Sequence, residues 1–318
     1  MTQHWSRGVV VFVVAPPPDP PLPAGRGEPK VNDLITSPSN QHIALLRSLH
    51  TPKGREQEGA CLLEGPHLLA AAFEARVTPR LIVYEAESLQ RSAEGRRLLG
   101  QIEAAEAAGA QVFEAARAAI ERAADTQTPQ GVVASVALSE FDPERLRAKR
   151  RGRMRPLLLT LDAISDPGNM GTLLRSALAA DVDEVLLAPG CADPFAPKVM
   201  RAGAGAHFHL PIRRLTWDGI RAAIHGSPPA KRTLIAEAEA HVAYDSVDLT
   251  QRTALIIGSE AHGLSGEANE LATESVSIPM WNRVESLNAA IAGSVILFEA
   301  ARQRRVAETR AQAQTTED

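Results

Sequence analysis

The sequence predicts an α/β protein: a parallel sheet with helices on both faces, preceded by a smaller α/β domain. Three observations carry that expectation. Short apolar runs alternate with helical periodicity from about residue 31 to residue 304. In the second half the runs are almost wholly apolar, as in Leu157-Leu158-Leu159-Thr160-Leu161, which marks strands covered on both faces. Three runs then lead into polar loops bearing Gly or Pro, at the strand ends where open α/β sheets gather their ligands.

Residues 1–30 read as a Pro-rich disordered tail. Val9 to Ala15 is apolar but far shorter than the roughly 20 residues that span a bilayer. Pro16-Pro17-Pro18 and later prolines to Pro29 exclude a packed helix. Arg7 before the run leaves a signal peptide or an organelle leader open, and a native start near Val31 is a third reading. A small domain is expected over 31–136. Ser37-Pro38-Ser39-Asn40 is a helix entrance, followed by Ile43, Leu46 and Leu49 at helical spacing. Strands are expected at Cys61–Glu64, Leu81–Tyr84, Gln111–Phe113 and Gly131–Val136, with helices through Leu68–Phe73 and over about 93–109.

Residues 137–155 are poor in apolar side chains and carry Arg145, Arg147, Lys149, Arg150, Arg151, Arg153 and Arg155. They read as a basic linker: either a solvated connector or, through Arg150, Arg151 and Arg153, a contact to RNA phosphates. The second domain is expected over 156–304. Its strands fall at 157–161, 185–187, 209–212, 233–236, 254–257 and 276–278, and its closing helix at Leu287–Arg302. Residues 305–318 lack apolar periodicity and are expected to be a disordered tail.

Composition narrows the function only loosely. The 318 residues are 44% hydrophobic and 23% charged, with a formal net charge of −4. Such a charge exerts no global pull toward nucleic acid, so an RNA-binding reading rests on local basic clusters. Cys61 and Cys191 read as reduced thiols of a cytoplasmic protein. His207 and His209 flank Phe208; on a strand they share a face without a third ligand, so no metal is expected. No GxGxxG follows a strand, and Gly203 and Gly205 fall in a helical stretch. There is no P-loop, no GxSxG elbow and no HExxH.

What remains is a set of three ordered motifs. The first is Asp166-Pro167-Gly168-Asn169-Met170-Gly171 with Arg175; the second is Gly258-Ser259-Glu260-Ala261-His262-Gly263; the third is Ile278-Pro279-Met280 with Ser286-Leu287-Asn288. Together they resemble the SpoU (TrmH-type) family of RNA ribose 2′-O-methyltransferases in the SPOUT superfamily. The stretch Pro197 to Ala206 resembles the helix between the family's first two motifs. Upstream, Ser37–Asn40, Leu63-Glu64-Gly65 and Thr128-Pro129-Gln130-Gly131 resemble the substrate-binding domain that precedes the catalytic one in many members. The likeness spans most of residues 31–304.

The resemblance implies a knotted parallel-sheet catalytic domain (a trefoil knot), a homodimer in which both subunits border each active site, S-adenosylmethionine as cofactor and RNA as substrate, with ribosomal RNA favoured over transfer RNA. It implies that Gly258, Ile278, Met280 and Leu287 hold the cofactor. Arg175 is the leading catalytic residue, clamping an RNA phosphate and stabilising the developing alkoxide, since a guanidinium is a poor proton acceptor. Asn169 and Asn288 orient loops and ribose, or cap turns and helices. Glu260 fixes Arg175 or Asn169, or accepts backbone bonds at its own turn. Ser286 contacts substrate or caps the last helix. In the third motif Trp281-Asn282-Arg283 stand where many members carry glycines, which gives Trp281 as a stacking surface. Other readings are a catalytically silent RNA-binding or assembly protein on the same fold, a tRNA 2′-O-methyltransferase, and a transferase acting on another nucleotide-bearing acceptor.

Overall fold

A computed structural model describes residues 34–150, 155–226, 229–260, 263–281 and 286–317. The expectations for residues 1–30, and those for Arg151, Arg153, Asn282 and Arg283, lie outside the described residues.

Two sheets organise the chain. The first is built from β1 (Ala60–Glu64), β2 (Leu81–Tyr84), β3 (Gln111–Glu114) and β4 (Val132–Ala137) in the order β1-β4-β2-β3. β4 runs antiparallel to both neighbours, while β2 and β3 are parallel. Around it lie α1 (Gln41–Ser48), α2 (Pro52–Glu58), α3 (Pro66–Glu74), α4 (Ala86–Gln90), α5 (Ala93–Ala107) and α6 (Arg117–Ala123). The entrance at Asn40 works as expected: its side chain accepts from His42 N at 2.8 Å, and Ile43 and Leu46 are buried. The sequence did not announce α2 or α6. α2 is capped by Thr51 and opens on Pro52 but buries only Gly54 and Arg55; α6 buries Ala119, Ile120 and Ala123. Small or polar buried faces leave little apolar periodicity to detect.

The expected linker is folded. Leu138–Phe141 forms a 3-10 turn, and α7 (Pro143–Ala148) buries Leu146. Three of its arginines have partners within the protein. Arg147 reaches Glu144 at 3.1 Å and Glu184 at 3.6 Å, and Arg145 pairs with Glu140 at 3.0 Å. Arg150 donates to the Val182 carbonyl at 2.7 Å and lies 3.6 Å from Asp181. Arg150 thus binds the protein's own backbone through one of its guanidinium nitrogens.

The second sheet has seven strands, all parallel: β5 (Leu157–Leu161), β6 (Glu184–Leu187), β7 (Ile212–Arg214), β8 (Arg232–Ala236), β9 (Val242–Ala243), β10 (Thr253–Ile257) and β11 (Glu274–Ser277), in the order β7-β6-β5-β10-β8-β11-β9. Alternation along β10 sends Leu255 and Ile257 to one core and Ala254 and Ile256 to the other. On the first face α8 (Pro167–Ala179) and α9 (Pro197–Gly203) pack; on the second, α10 (Trp217–Ile224) contributes Ile220 and Ile224, and α11 (Gly266–Leu271) contributes Ala268 and Leu271. Each fully buried leucine or isoleucine contributes about 1.5–3 kcal/mol, so a sheet covered twice is the firmest part of the molecule.

Two expectations fail here. The strand expected at 209–212 begins only at Ile212: residues 206–208 form a 3-10 turn, and His207 is buried with its ring nitrogen Nε2 2.8 Å from the Pro194 carbonyl. His207 and His209 therefore share no strand face. The closing helix, α12 (Ala289–Glu317), runs well past Arg302 into the stretch expected to be disordered. Ala, Glu, Arg and Gln there are strong helix formers, and backbone propagation from a capped, packed first half needs no apolar stripe.

The two sheets share a seam. Met200 and Phe208 belong to the same core cluster as Cys61, Leu63 and Leu69, and Phe141 sits between Phe195 and Phe208 at ring-centroid distances of 5.1 and 5.4 Å. Buried Arg55 reaches Asp193 through Nε at 3.0 Å and through Nη2, and donates to the Leu49 carbonyl at 2.8 Å. Arg201 of α9 forks between Glu64 at 3.0 Å and Asp125 at 2.8 Å.

Candidate active site

The three motifs follow β5, β10 and β11, of which β5 and β10 are neighbours and β10 and β11 are separated only by β8, and their loops meet at the carboxyl ends of these strands. The first enters α8: Asp166 caps that helix, its Oδ1 accepting from Asn169 N at 2.8 Å. The second leaves β10 and closes on itself through paired backbone bonds between Ser259 and Gly263, at 3.0 and 2.9 Å. A Cβ on Gly258 would lie 2.5 Å from the Gly263 carbonyl oxygen, so this glycine is required by the closure of its own loop as well as by its place on the cavity wall. Asp162, buried at the end of β5, accepts from Ser265 N at 2.7 Å and ties the second loop down. The third motif leaves β11 and enters α12.

One carboxylate oxygen joins all three. Glu260 Oε1 accepts from Asn169 Nδ2 at 2.9 Å, from Asn288 Nδ2 at 2.6 Å and from Ala289 N at 2.9 Å. Asn288 Nδ2 also reaches Asn169 Oδ1 at 3.0 Å. Its own Oδ1 accepts from Ala290 N at 3.0 Å and Ile291 N at 3.2 Å, which caps α12. The cap is thus Asn288, and Ser286, for which a substrate contact or a cap was expected, lines the cavity. A negative charge beside the first backbone N–H groups of a long helix is also favoured by the helix dipole. Glu260 binds Asn169 and Asn288; the contact to Arg175 that the sequence left open is not made.

Beside this junction lies a cavity of about 620 Å³ at the ends of β8, β10 and β11. Gly258, Ile278, Met280 and Leu287, the four residues expected to hold a cofactor, all line it. Its size is within the ~300–1,000 Å³ typical of small-molecule sites, and its walls mix apolar side chains with loop backbone, as a nucleoside requires. The loop Glu237–His241, after β8, forms another wall. Sequence reading passed over it because Glu237-Ala238-Glu239-Ala240-His241 holds neither Gly nor Pro, although it follows a strand run. Asp162 escaped for a similar reason: one Asp after a strand carries no pattern.

Arg175 stands apart. It is exposed on α8, is not among the residues lining the cavity, and has no hydrogen bond or ion pair among the described residues. Six positions beyond Asn169, it lies about 9 Å further along the helix axis. Its neighbour Ser176 accepts from Ser294 Oγ of α12 at 2.7 Å. The thiol nearest this region, Cys191, donates to the Leu161 carbonyl at 3.2 Å, and burial pushes its pKa up to about 11, so it stays protonated and is no nucleophile. Among the described residues no three His, Cys, Asp or Glu side chains cluster as metal ligands, and no helix is long and apolar enough to cross a membrane.

A doubly covered parallel sheet with a nucleoside-sized cavity at the ends of its strands, closed by three polar loops, defines a nucleotide-cofactor enzyme of the α/β class. Comparison with known proteins gives the family. The SpoU rRNA methylase family profile matches residues 156–298, and an MRM3-like substrate-binding domain matches residues 40–134. An uncharacterized tRNA/rRNA methyltransferase of Synechocystis is 35% identical over 88% of this chain and 98% of its own length. A 23S rRNA guanosine 2′-O-methyltransferase of Bacillus subtilis is 28% identical over 83% of this chain and 97% of its own. The crystal structure of an AdoMet-bound rRNA methyltransferase from Sinorhizobium meliloti superposes with a TM-score of 0.70 at 28% identity, covering 84% of this chain and 97% of that one. The chain belongs to the SpoU rRNA methylase family and is an RNA methyltransferase.

Proposed function

We propose that the protein transfers a methyl group from S-adenosylmethionine to a ribose 2′-hydroxyl of ribosomal RNA. The observation that carries this reading is the convergence of Gly258, Ile278, Met280 and Leu287 on one cavity whose rim is the Asn169–Glu260–Asn288 junction. S-adenosylmethionine, when bound, supplies a methyl group made electrophilic by its sulfonium. The chain's task is then to hold the two reacting groups in line and to ease the proton from the hydroxyl. Ile278, Met280 and Leu287 hold the cofactor through apolar contact, and Gly258 with its loop through backbone groups. The junction keeps these loops at fixed spacing. Asn169 and Asn288 act here as positioning residues, and Ser286 at the cavity wall is available to the substrate.

Arg175 supplies the positive charge, clamping an RNA phosphate and stabilising the developing alkoxide. Because it lies outside its own chain's cavity, we assign it to the site of a second copy. A homodimer is supported by Ile291 and Phe298 of α12, which are 52% and 51% exposed and stand with Val295 at i, i+4, i+7 spacing; Ile296 of the same helix is buried in the core. The trefoil threading of the family is part of this reading, as is a cytoplasmic site of action, which the two free thiols favour. A ribosomal acceptor is supported by the Bacillus relative and the MRM3-like domain.

The test is incorporation of labelled methyl groups by the purified protein, offered ribosomal RNA from cells lacking the gene and, separately, transfer RNA. Alkali-resistant label in ribosomal RNA is expected. Label in transfer RNA alone would overturn the acceptor. No label, with no donor binding by calorimetry at millimolar concentration, would leave a silent RNA-binding module.

A further inference from the structure

We propose that Trp281 is a stacking platform for a base of the RNA, set at the mouth of the cofactor cavity; this rests on reading that cavity as the methyl-donor site. Trp281 is 85% exposed, one of four large hydrophobic residues exposed among those described. Two of the others, Ile291 and Phe298, lie on the stripe of α12, and Leu34 is at the far end of the chain. Trp281 follows β11 directly after Met280, and Met280 lines the cavity. Successive Cα atoms are about 3.8 Å apart, so the indole is rooted one residue from the cavity wall without filling it.

That position suits an acceptor better than the cofactor. The ribose oxygen must come within about 3–3.5 Å of the donor methyl, so a base on that nucleotide or the next passes the lip of the cavity. Single-stranded RNA is recognised through splayed bases laid on aromatic faces. The chain also has reason to depend on stacking. Its net charge is −4, and Arg145, Arg147 and Arg150 of the basic run are engaged with Glu140, Glu144, Glu184 and the Val182 carbonyl. A π-face accepts every base, so Trp281 adds affinity and placement and leaves sequence choice to other contacts.

The experiment compares full-length wild type with W281A and W281F. It measures steady-state methylation of ribosomal RNA from cells lacking the gene, donor affinity by calorimetry, and oligomeric state by sedimentation. For W281A the KM for RNA rises about 10- to 100-fold, as loss of one base stack predicts, while donor affinity and sedimentation are unchanged. W281F, which keeps a π-face, retains most of the wild-type KM. An unchanged KM in W281A overturns the proposal. So does a parallel fall in donor affinity, which would put the indole on the cofactor, or dissociation to monomers, which would put it on a second copy. Wild type that methylates no ribosomal RNA refutes the functional reading itself and takes this inference with it.

Discussion

The three-loop junction and the seam between the sheets are both held by charge, but in opposite ways. At the junction one exposed carboxylate gathers two amides and a backbone N–H, from the first turn of α8 and the entrance of α12. At the seam Arg55 and Glu64 are buried, and each is paired across the boundary with Asp193 or Arg201. The seam therefore contributes orientation and stability, and losing a partner strands a charge away from water. The junction contributes loop geometry, and losing a partner there leaves groups that water can satisfy. Damage at the seam should be read in unfolding, damage at the junction in cofactor affinity.

Arg175 tests where that division ends, since it belongs to neither region. Arg175→Ala is expected to lower kcat by about 10²–10³-fold with little change in donor affinity or Tm, the size of effect seen when one transition-state charge stabiliser is removed. Arg175→Lys should recover only a small part, because an ammonium lacks the planar fork. Methyl-transfer kinetics beside calorimetry check this. A near-normal kcat would remove Arg175 from the chemistry and leave the junction as the whole site.

Next in size is the seam. Arg55→Ala leaves Asp193 unpaired and the Leu49 carbonyl without its donor, at a cost of about 3 kcal/mol in urea unfolding. Donor affinity at pH 7 should be unchanged, since no cavity residue touches Arg55. A fall in affinity equal to the fall in stability would show that the two regions are one cooperative unit. Glu260→Ala reverses the pattern: about a 10- to 100-fold loss of donor affinity, from freeing three loop donors, with less than about 1 kcal/mol lost in unfolding.

The same contrast explains what could be read from residues alone. The junction and the cavity wall were legible because Asn169, Gly258, Glu260, Met280 and Asn288 sit in short motifs at strand ends that resemble those of the SpoU family. Five of the seven strands of the large sheet were visible as apolar runs; β7 was placed three residues early, and β9 is two residues long and carries no periodicity. The seam was not legible. Arg55, Asp193, Phe141, Phe195 and Phe208 are single residues far apart, brought together only by tertiary folding. The basic run at 145–155 shows a limit of composition: charge counts do not show that Arg147 pairs with Glu184 or that Arg150 binds the Val182 carbonyl. Nor does a motif show which member caps the helix, and that role fell to Asn288.

The smallest effect expected belongs to His207, which sits in the seam. Burial holds its pKa down to about 4, against the opposing pull of the Pro194 carbonyl and of Asp193. The unfolded chain binds this proton from about pH 6.5 downward, whereas the folded protein refuses it until about pH 4. Between those values the unfolded state carries more protons, so stability falls as the pH falls. From pH 7.5 to 5.5 the loss assigned to this one side chain is about 1 kcal/mol. His207→Gln keeps a donor for the Pro194 carbonyl but cannot titrate, so its unfolding free energy should depend less on pH by that amount over this window. Parallel urea curves for the two proteins at pH 7.5 and 5.5 measure it. Equal pH slopes would mean that the ring takes its proton in the folded state too, and that the seam is wetter than its packing implies.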